Sequence, residues 1–106
     1  MDNFKIIYRI LKALEQSMDC EETNLDAISH TRLGVSRERW EQILILLAIE
    51  GYISGIIYTK SMSDSKPHIV EPIQPAILLK GLEYLADNTM MKKAARLAKG
   101  IAELVP

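Results

Sequence analysis

Residues 51–70, GYISGIIYTKSMSDSKPHIV, constrain the fold more tightly than any other stretch of this chain. Ile, Tyr and Thr dominate residues 52–60, and residues 67–73 again have the composition of a short strand. Residues 61–66 between them are polar and turn-forming, so the two strands are expected to pair as a hairpin. Gly55, inside the first strand, predicts a bulge or a close approach of the backbone.

Apolar residues at helical spacing mark the rest of the chain. The predicted helices cover residues 3–18, 25–30, 36–50, 76–88 and 89–105. In the first of them, Ile6 and Ile10 widen the apolar sector, which predicts neighbours on two sides. Residues 43–49, ILILLAI, have the composition of a buried strand, but their polar entry and the length of the segment favour a helix. Ser36 is the expected N-cap of that helix and Gly51 its C-terminal stop.

The length of the chain favours a single domain. Its net charge is too small to attract nucleic acid to the protein as a whole. The chain has 106 residues, of which 48% are apolar, and this is enough for one core. A single domain over residues 1–106 is expected, with three helices and the hairpin in residues 1–73 and two more helices in residues 74–106. The net charge is −1, so any contact with nucleic acid must rest on local patches.

The charged residues and the single cysteine predict the compartment. Lys5, Arg9 and Lys12 interrupt the apolar pattern of the N-terminal segment, which is therefore neither a signal peptide nor a membrane span. No other stretch is long enough to cross a bilayer, and no membrane association is expected. Cys20 has no partner for an intrachain disulfide and suits a reducing environment, so a cytoplasmic location is expected.

No residue pattern in the sequence points to chemistry. His30, His68 and Cys20 are too few and too scattered for a zinc site, which needs about four ligands at close spacing. No nucleophile-elbow, Walker or dinucleotide-binding spacing occurs. We therefore expect no metal, no cofactor and no enzymatic activity, and we expect the ring of His68 to make a structural hydrogen bond.

The order of the elements predicts the fold class. Three helices followed by a two-stranded ribbon is the order of a winged helix-turn-helix domain, in which the ribbon is the wing. The expected fold is therefore α+β and mainly helical, a winged helix with two additional C-terminal helices.

Specific stretches also resemble a known family. GYISG after the third helix, KPHIV at the second strand, KGLEYLADN, and NTMMKKAARLAKGIAELVP at the end resemble the YjcQ-like family of small bacterial and prophage proteins. The resemblance runs from about Gly51 to the C-terminus and less clearly through the first helix. The resemblance implies a winged helix with extra C-terminal helices and, from that fold, DNA binding, and it assigns no particular biochemical function. Leu78 stands where the family usually has a Thr that would cap the fourth helix, so a start at Pro75 is an alternative.

The third helix occupies the place of a recognition helix. Arg37, Arg39 and Gln42 in its first turns are suited to phosphates or base edges. Glu38 and Glu41 are expected near the same outward face, where they would repel the backbone of a duplex. If only the first turn contacts DNA, such contact is compatible with burial of the apolar rest of the helix against protein.

Two lysines flank the tip of the predicted wing. Lys60 and Lys66 are candidate phosphate contacts, and Asp64 between them offsets part of their charge. The alternative interpretation is an ordinary hairpin tip that is polar because it is solvated.

Two further surfaces are candidates for contact with partners. Ile45 and Ile49 are expected to form an apolar strip on the third helix, which would meet the C-terminal helices or a second subunit. The last predicted helix carries the densest basic stripe of the chain, which is either a binding surface or the solvated face of an amphipathic helix: Lys92, Lys93, Arg96 and Lys99.

The leading prediction is a non-enzymatic winged-helix regulator or accessory factor that binds double-stranded DNA. The alternative is a protein-interaction or dimerisation adaptor, which uses the same scaffold to contact a homodimer partner or another protein without binding DNA.

Overall fold

Helices precede every strand in the computed structural model, which describes residues 2–88. The helical part consists of α1 (Asn3–Ser17), a 3-10 turn (Asp26–Ile28), α2 (His30–Leu33) and α3 (Arg37–Ile49). Four short strands follow: β1 (Ile53–Ser54), β2 (Ile57–Thr59), β3 (His68–Val70) and β4 (Ala76–Ile77). Residues 79–88 are again helical and are called α4 here. The protein is thus a small α+β domain, and the predicted helix over residues 89–105 lies outside the described residues.

Side-chain caps fix where the helices begin. The Asp2 carboxylate accepts a hydrogen bond from the backbone N–H of Phe4, and the Ser36 hydroxyl accepts one from that of Arg39, at 2.9 and 3.1 Å. The predicted cap of the third helix is thereby confirmed. The predicted helix over residues 25–30 is wrong, because Ser29 caps a later and shorter α2 and only a 3-10 turn precedes it.

The strands form two small sheets instead of one. The β2–β3 hairpin pairs Ile57 with Val70, and this ribbon is called the hairpin below. β1 pairs with β4 in a second antiparallel sheet, which pairs Ile53 with Ile77. The predicted continuous strand over residues 52–60 is therefore wrong, because the chain changes partner at Gly55.

The chain passes from the β1–β4 sheet to the hairpin at Gly55, where the backbone is too crowded for a side chain. Its φ is +79°, and a Cβ at this position would lie 1.8 Å from the carbonyl oxygen of Gln74. The backbone N–H of Gln74 donates a hydrogen bond to the Gly55 carbonyl at 3.2 Å. The predicted close approach at Gly55 is confirmed.

The fourth helix begins later than the sequence predicted. Residues 76–77 are strand β4, and the N–H of Leu78 bonds the carbonyl of Tyr52 at 2.9 Å. This pairing holds the backbone extended as far as Leu78, so neither residue 76 nor Pro75 starts a helix. The predicted second strand likewise stops at Val70 and does not reach Ile73.

One apolar core joins α1, α2, α3 and the strands. Ile6 and Ile10 are completely buried, in agreement with the prediction that neighbours cover α1 on two sides. The indole N–H of Trp40 donates a 2.7 Å hydrogen bond to the carbonyl of Ile28, which ties α3 to the 3-10 turn. Within residues 2–88, no helix is long and apolar enough to cross a membrane.

Candidate functional site

Two adjacent side chains of α3 fasten the hairpin to the helix. Glu41 is only 8% exposed, and its Oε2 accepts a 3.1 Å hydrogen bond from the backbone N–H of Ile69. The same oxygen lies 3.2 Å from Nδ1 of His68, in agreement with a structural role for that ring. The Gln42 amide donates to the carbonyl of Pro67 at 3.1 Å. The first half of α3 and strand β3 therefore form one fixed unit.

These contacts change the assignment of two predicted site residues. Glu41 was expected near the outward face of the helix, but it is buried against the hairpin and does not repel a ligand from the surface. Gln42 was expected to reach base edges, but its amide nitrogen is already bonded to Pro67. Gln42 therefore positions the hairpin in this structure.

Arg37 is also engaged within the molecule. Its guanidinium forms ion pairs with Glu71 and with Glu41, the latter at 3.3 Å, and lies 5.5 Å from the centre of the Trp40 ring. The hydrogen bond to Glu71 raises the pKa of Arg37 above its ordinary value. A phosphate would have to compete with two carboxylates for this side chain, so Arg37 is less available than the sequence suggested.

Arg39 is the cation of α3 that remains available. It is exposed, and its side chain forms no hydrogen bond or ion pair with any part of the chain that the structure describes. It lies one helical turn before Gln42, on the same side of the helix. Arg39 is therefore placed as the sequence predicted.

The tip of the hairpin is a tight turn between two exposed lysines. The N–H of Asp64 bonds the Ser61 carbonyl at 3.1 Å, and Asp64 Oδ2 accepts from the N–H and the hydroxyl of Ser61 at 3.2 and 2.8 Å. These donors hold the pKa of Asp64 below its ordinary value. Lys60 and Lys66 are exposed on either side of this turn, as predicted.

A short series of contacts connects Arg39 to Lys66, one of the two hairpin lysines. Side chains one turn apart on a helix have Cβ atoms about 5–6 Å apart. Gln42, one turn after Arg39, bonds the carbonyl of Pro67, and Pro67 directly follows Lys66. The term cationic surface is used below for Arg39, Lys60 and Lys66, which all belong to the unit formed by α3 and the hairpin.

The apolar strip on α3 differs from the predicted one. Ile45 is 2% exposed and belongs to the core, so its assignment to a protein interface is wrong. Ile49 is 57% exposed, as predicted, and Leu46, which the sequence analysis missed, is 58% exposed. Leu46 and Ile49 continue the stripe of Arg39 and Gln42, whereas Ile45, only about 40° from Ile49 around the helix, is buried by contacts that form in the folded chain. The exposed side of α3 is thus polar in its first half and apolar in its last turn.

The remaining candidates are outside this unit. The predicted basic stripe of Lys92, Lys93, Arg96 and Lys99 lies outside the described residues. Cys20 is exposed, and His30 packs edge-on against Trp40 at 6.0 Å between ring centres. No group of three or more His, Cys, Asp or Glu side chains within residues 2–88 is arranged to hold a metal ion.

The chain matches a protein family over nearly its whole length. The family model described as YjcQ protein matches residues 8–104. The chain is also similar to the protein named "Uncharacterized protein YjcQ" of Bacillus subtilis (strain 168), with 29% identity over 105 residues that cover 99% of each chain. No solved structure matches the chain. The matched region includes α3, the hairpin and α4.

Proposed function

The chain belongs to the YjcQ family, and from the geometry of α3 and the hairpin we propose that it is a winged-helix protein that binds double-stranded DNA. On this proposal, α1, α2 and α3 are the three helices of the motif and the hairpin is the wing. The protein acts without catalysis, as a regulator or accessory factor of bacterial or prophage origin.

The observation that carries the proposal is the double attachment of the hairpin to α3 by Glu41 and Gln42. Because the hairpin is bonded to α3, the backbone segments that carry Arg39 and Lys66 are held together before a ligand arrives. A ligand then does not have to order a mobile loop, which lowers the entropic cost of binding. A fixed set of cations on a protein of nearly neutral charge suits the regular spacing of phosphates on a duplex.

The availability of the cations determines which residues make the contacts. Arg39, Lys60 and Lys66 bind phosphates, whereas Arg37 stays in its ion pairs and Gln42 holds the hairpin. Contacts of this kind position a protein on DNA and carry little sequence information. We therefore expect weak binding with a dissociation constant in the range of roughly 10⁻⁴ to 10⁻⁶ M at physiological salt.

Salt dependence tests this proposal directly. Three neutralised phosphates give a slope of log affinity against log salt of about −2.7, so affinity is expected to fall roughly 40-fold between about 50 and 200 mM salt. Fluorescence anisotropy of a labelled duplex measures this fall. Lys66→Gln is expected to weaken binding several-fold and to reduce the magnitude of the slope by about 1.

Lys5→Gln is the matched control, because it also removes one positive charge from an exposed lysine but lies on α1, outside the cationic surface. It is expected to change the affinity much less than Lys66→Gln. Equal effects of the two substitutions would show that net charge and not this surface governs binding. Absence of any salt-sensitive complex would contradict DNA binding itself.

A second candidate function is favoured by Leu46 and Ile49. Both are more than half exposed in the last turns of α3, where a DNA-contacting helix would carry polar side chains. An apolar pair of this kind suits a protein surface, and the corresponding function is an adaptor that associates with a second copy or with another protein. Such association is tolerant of salt, in contrast to DNA binding.

Light scattering distinguishes the adaptor from the DNA-binding protein. The adaptor hypothesis predicts a dimer mass that persists at high salt and falls toward the monomer mass for Ile49→Asp. Met62→Asp, which places the same charge on an exposed apolar residue at the far end of the hairpin, is expected to leave the mass unchanged. A monomer in all buffers would contradict self-association through this strip.

A further inference from the structure

Met62 is a fully exposed apolar side chain at the tip of the hairpin. It is the second residue of the turn that begins at Ser61 and ends at Asp64. Three hydrogen bonds between Ser61 and Asp64 close this turn, so the backbone that carries Met62 is held in place. A large apolar side chain is thereby presented to solvent on a rigid support.

The strands below the tip are attached to the core. The hairpin is bonded to α3 through Glu41 and Gln42, and Trp40 of α3 is bonded to the 3-10 turn. The turn that carries Met62 lies in the loop between β2 and β3, and because its own hydrogen bonds already order it, the burial of Met62 by a ligand requires little further ordering of the turn.

We propose that Met62 is a wedge that enters the minor groove of DNA and partly unstacks a base step, which bends the duplex. This inference rests on the proposed function and specifies its target as deformable duplex DNA. Apolar side chains inserted between base pairs kink a duplex by about 20–90° toward the major groove. Pyrimidine–purine steps such as TA unstack most readily, so the protein binds best where such a step faces Met62.

The positions of the charges favour the minor groove over an apolar pocket on another protein. Lys60 precedes the turn and Lys66 follows it in the chain, and both are exposed, so Met62 has a cation on each side of it in the sequence. Two phosphate backbones border the minor groove in the same way. Asp64 is the negative group at the tip, and Ser61 holds its carboxylate within the turn, which leaves one net positive charge among these three residues.

The experiment uses two labelled duplexes of equal length, one with a central TA step and one with a stiff A-tract at the same place. Energy transfer between dyes at the two ends reports bending, and anisotropy reports affinity in the same samples. The wild-type protein is expected to bend the TA duplex and to bind it about tenfold more tightly than the A-tract duplex.

Substitutions at the tip separate the wedge from phosphate binding. Met62→Ser is expected to keep the salt-sensitive affinity for the A-tract duplex but to lose both the bend and the preference for TA, whereas Met62→Leu keeps them. Ser65→Ala, at an exposed position just after the turn, is the control and is expected to bend DNA as the wild type does. An unchanged bend in Met62→Ser would overturn the wedge and leave DNA binding intact.

A wild-type protein that binds neither duplex would overturn the wedge and the proposed function together. Loss of bending in Lys66→Gln but not in Met62→Ser would also overturn the wedge, since bending would then follow from charge neutralisation alone.

Discussion

Gly55→Ala is expected to destabilise the protein by about 3 kcal/mol. The new methyl group would meet the carbonyl oxygen of Gln74 at 1.8 Å, so the two backbone segments must separate, and their hydrogen bond must weaken. Displacement of a packed structure costs roughly 1–3 kcal/mol, and a positive φ costs a residue with a Cβ about 1 kcal/mol more. For a domain of this size, the melting temperature is expected to fall by about 15 °C, as measured by circular dichroism.

Gly34→Ala is the matched control for this prediction. Gly34 has a φ of +72°, close to the +79° of Gly55, but a Cβ at Gly34 would have no atom within 4 Å. Only the conformational cost of about 1 kcal/mol is then expected. Equal losses for the two variants would mean that Gln74 moves away freely and that the crowding at Gly55 contributes nothing.

Glu41→Ala is expected to destabilise the protein by about 2–3 kcal/mol and to weaken DNA binding. The substitution removes the acceptor of the buried Ile69 N–H, and an unsatisfied buried donor costs about 1–3 kcal/mol. It also removes one of the two ion pairs of Arg37. The decrease in the free energy of unfolding is measured by urea unfolding at neutral pH. Glu41→Gln keeps an oxygen that can accept the hydrogen bond of the Ile69 N–H, and its free energy of unfolding is expected to fall by only about 1 kcal/mol.

Glu38→Ala controls for the loss of a carboxylate from the same helix. Glu38 is exposed in the first turn of α3, where its interaction with the helix dipole is worth about 0.5 kcal/mol. A stability change of this size is expected, and the affinity for DNA is expected to rise slightly, because the exposed carboxylate beside Arg39 repels phosphates. If Glu41→Ala is no more harmful than Glu38→Ala, the hairpin does not depend on its attachment through Glu41.

The periodicity of the apolar residues was sufficient to predict the helices α1 and α3, but it did not predict the short helices and strands. Regular apolar spacing over several turns indicates a helix whatever lies around it, and Ser36 gave the start of α3 correctly. Strand β4 contains only Ala76 and Ile77 and is extended because it pairs with β1, a contact across more than twenty residues of chain. No local pattern carries that information, so those residues looked like the beginning of α4.

The sequence predicted which residues belong to the candidate site, but it did not predict which of their side chains are already bonded within the protein. Arg39, Lys60 and Lys66 are exposed as expected, because isolated cations on helices and turns seldom find a buried partner. The roles of Arg37 and Gln42 depend on Glu71 and Pro67, which are distant in the sequence. Ile45 was misplaced because the apolar sector of α3 is wide, and the contacts that bury its different sides are formed only in the folded chain.

The contact between Gly55 and Gln74 also joins the two ends of residues 56–73, a segment whose outer part is exposed and whose Ile69 and Ile73 pack in the core. Since β1 and β4 adjoin this contact, the ends of the segment are held together whatever the length of its outer part. Insertions or deletions around Ser63 would therefore change the reach of the outer part and leave the packing beneath it unaltered. The outer part of this segment and the helical body of the protein can therefore change independently of each other.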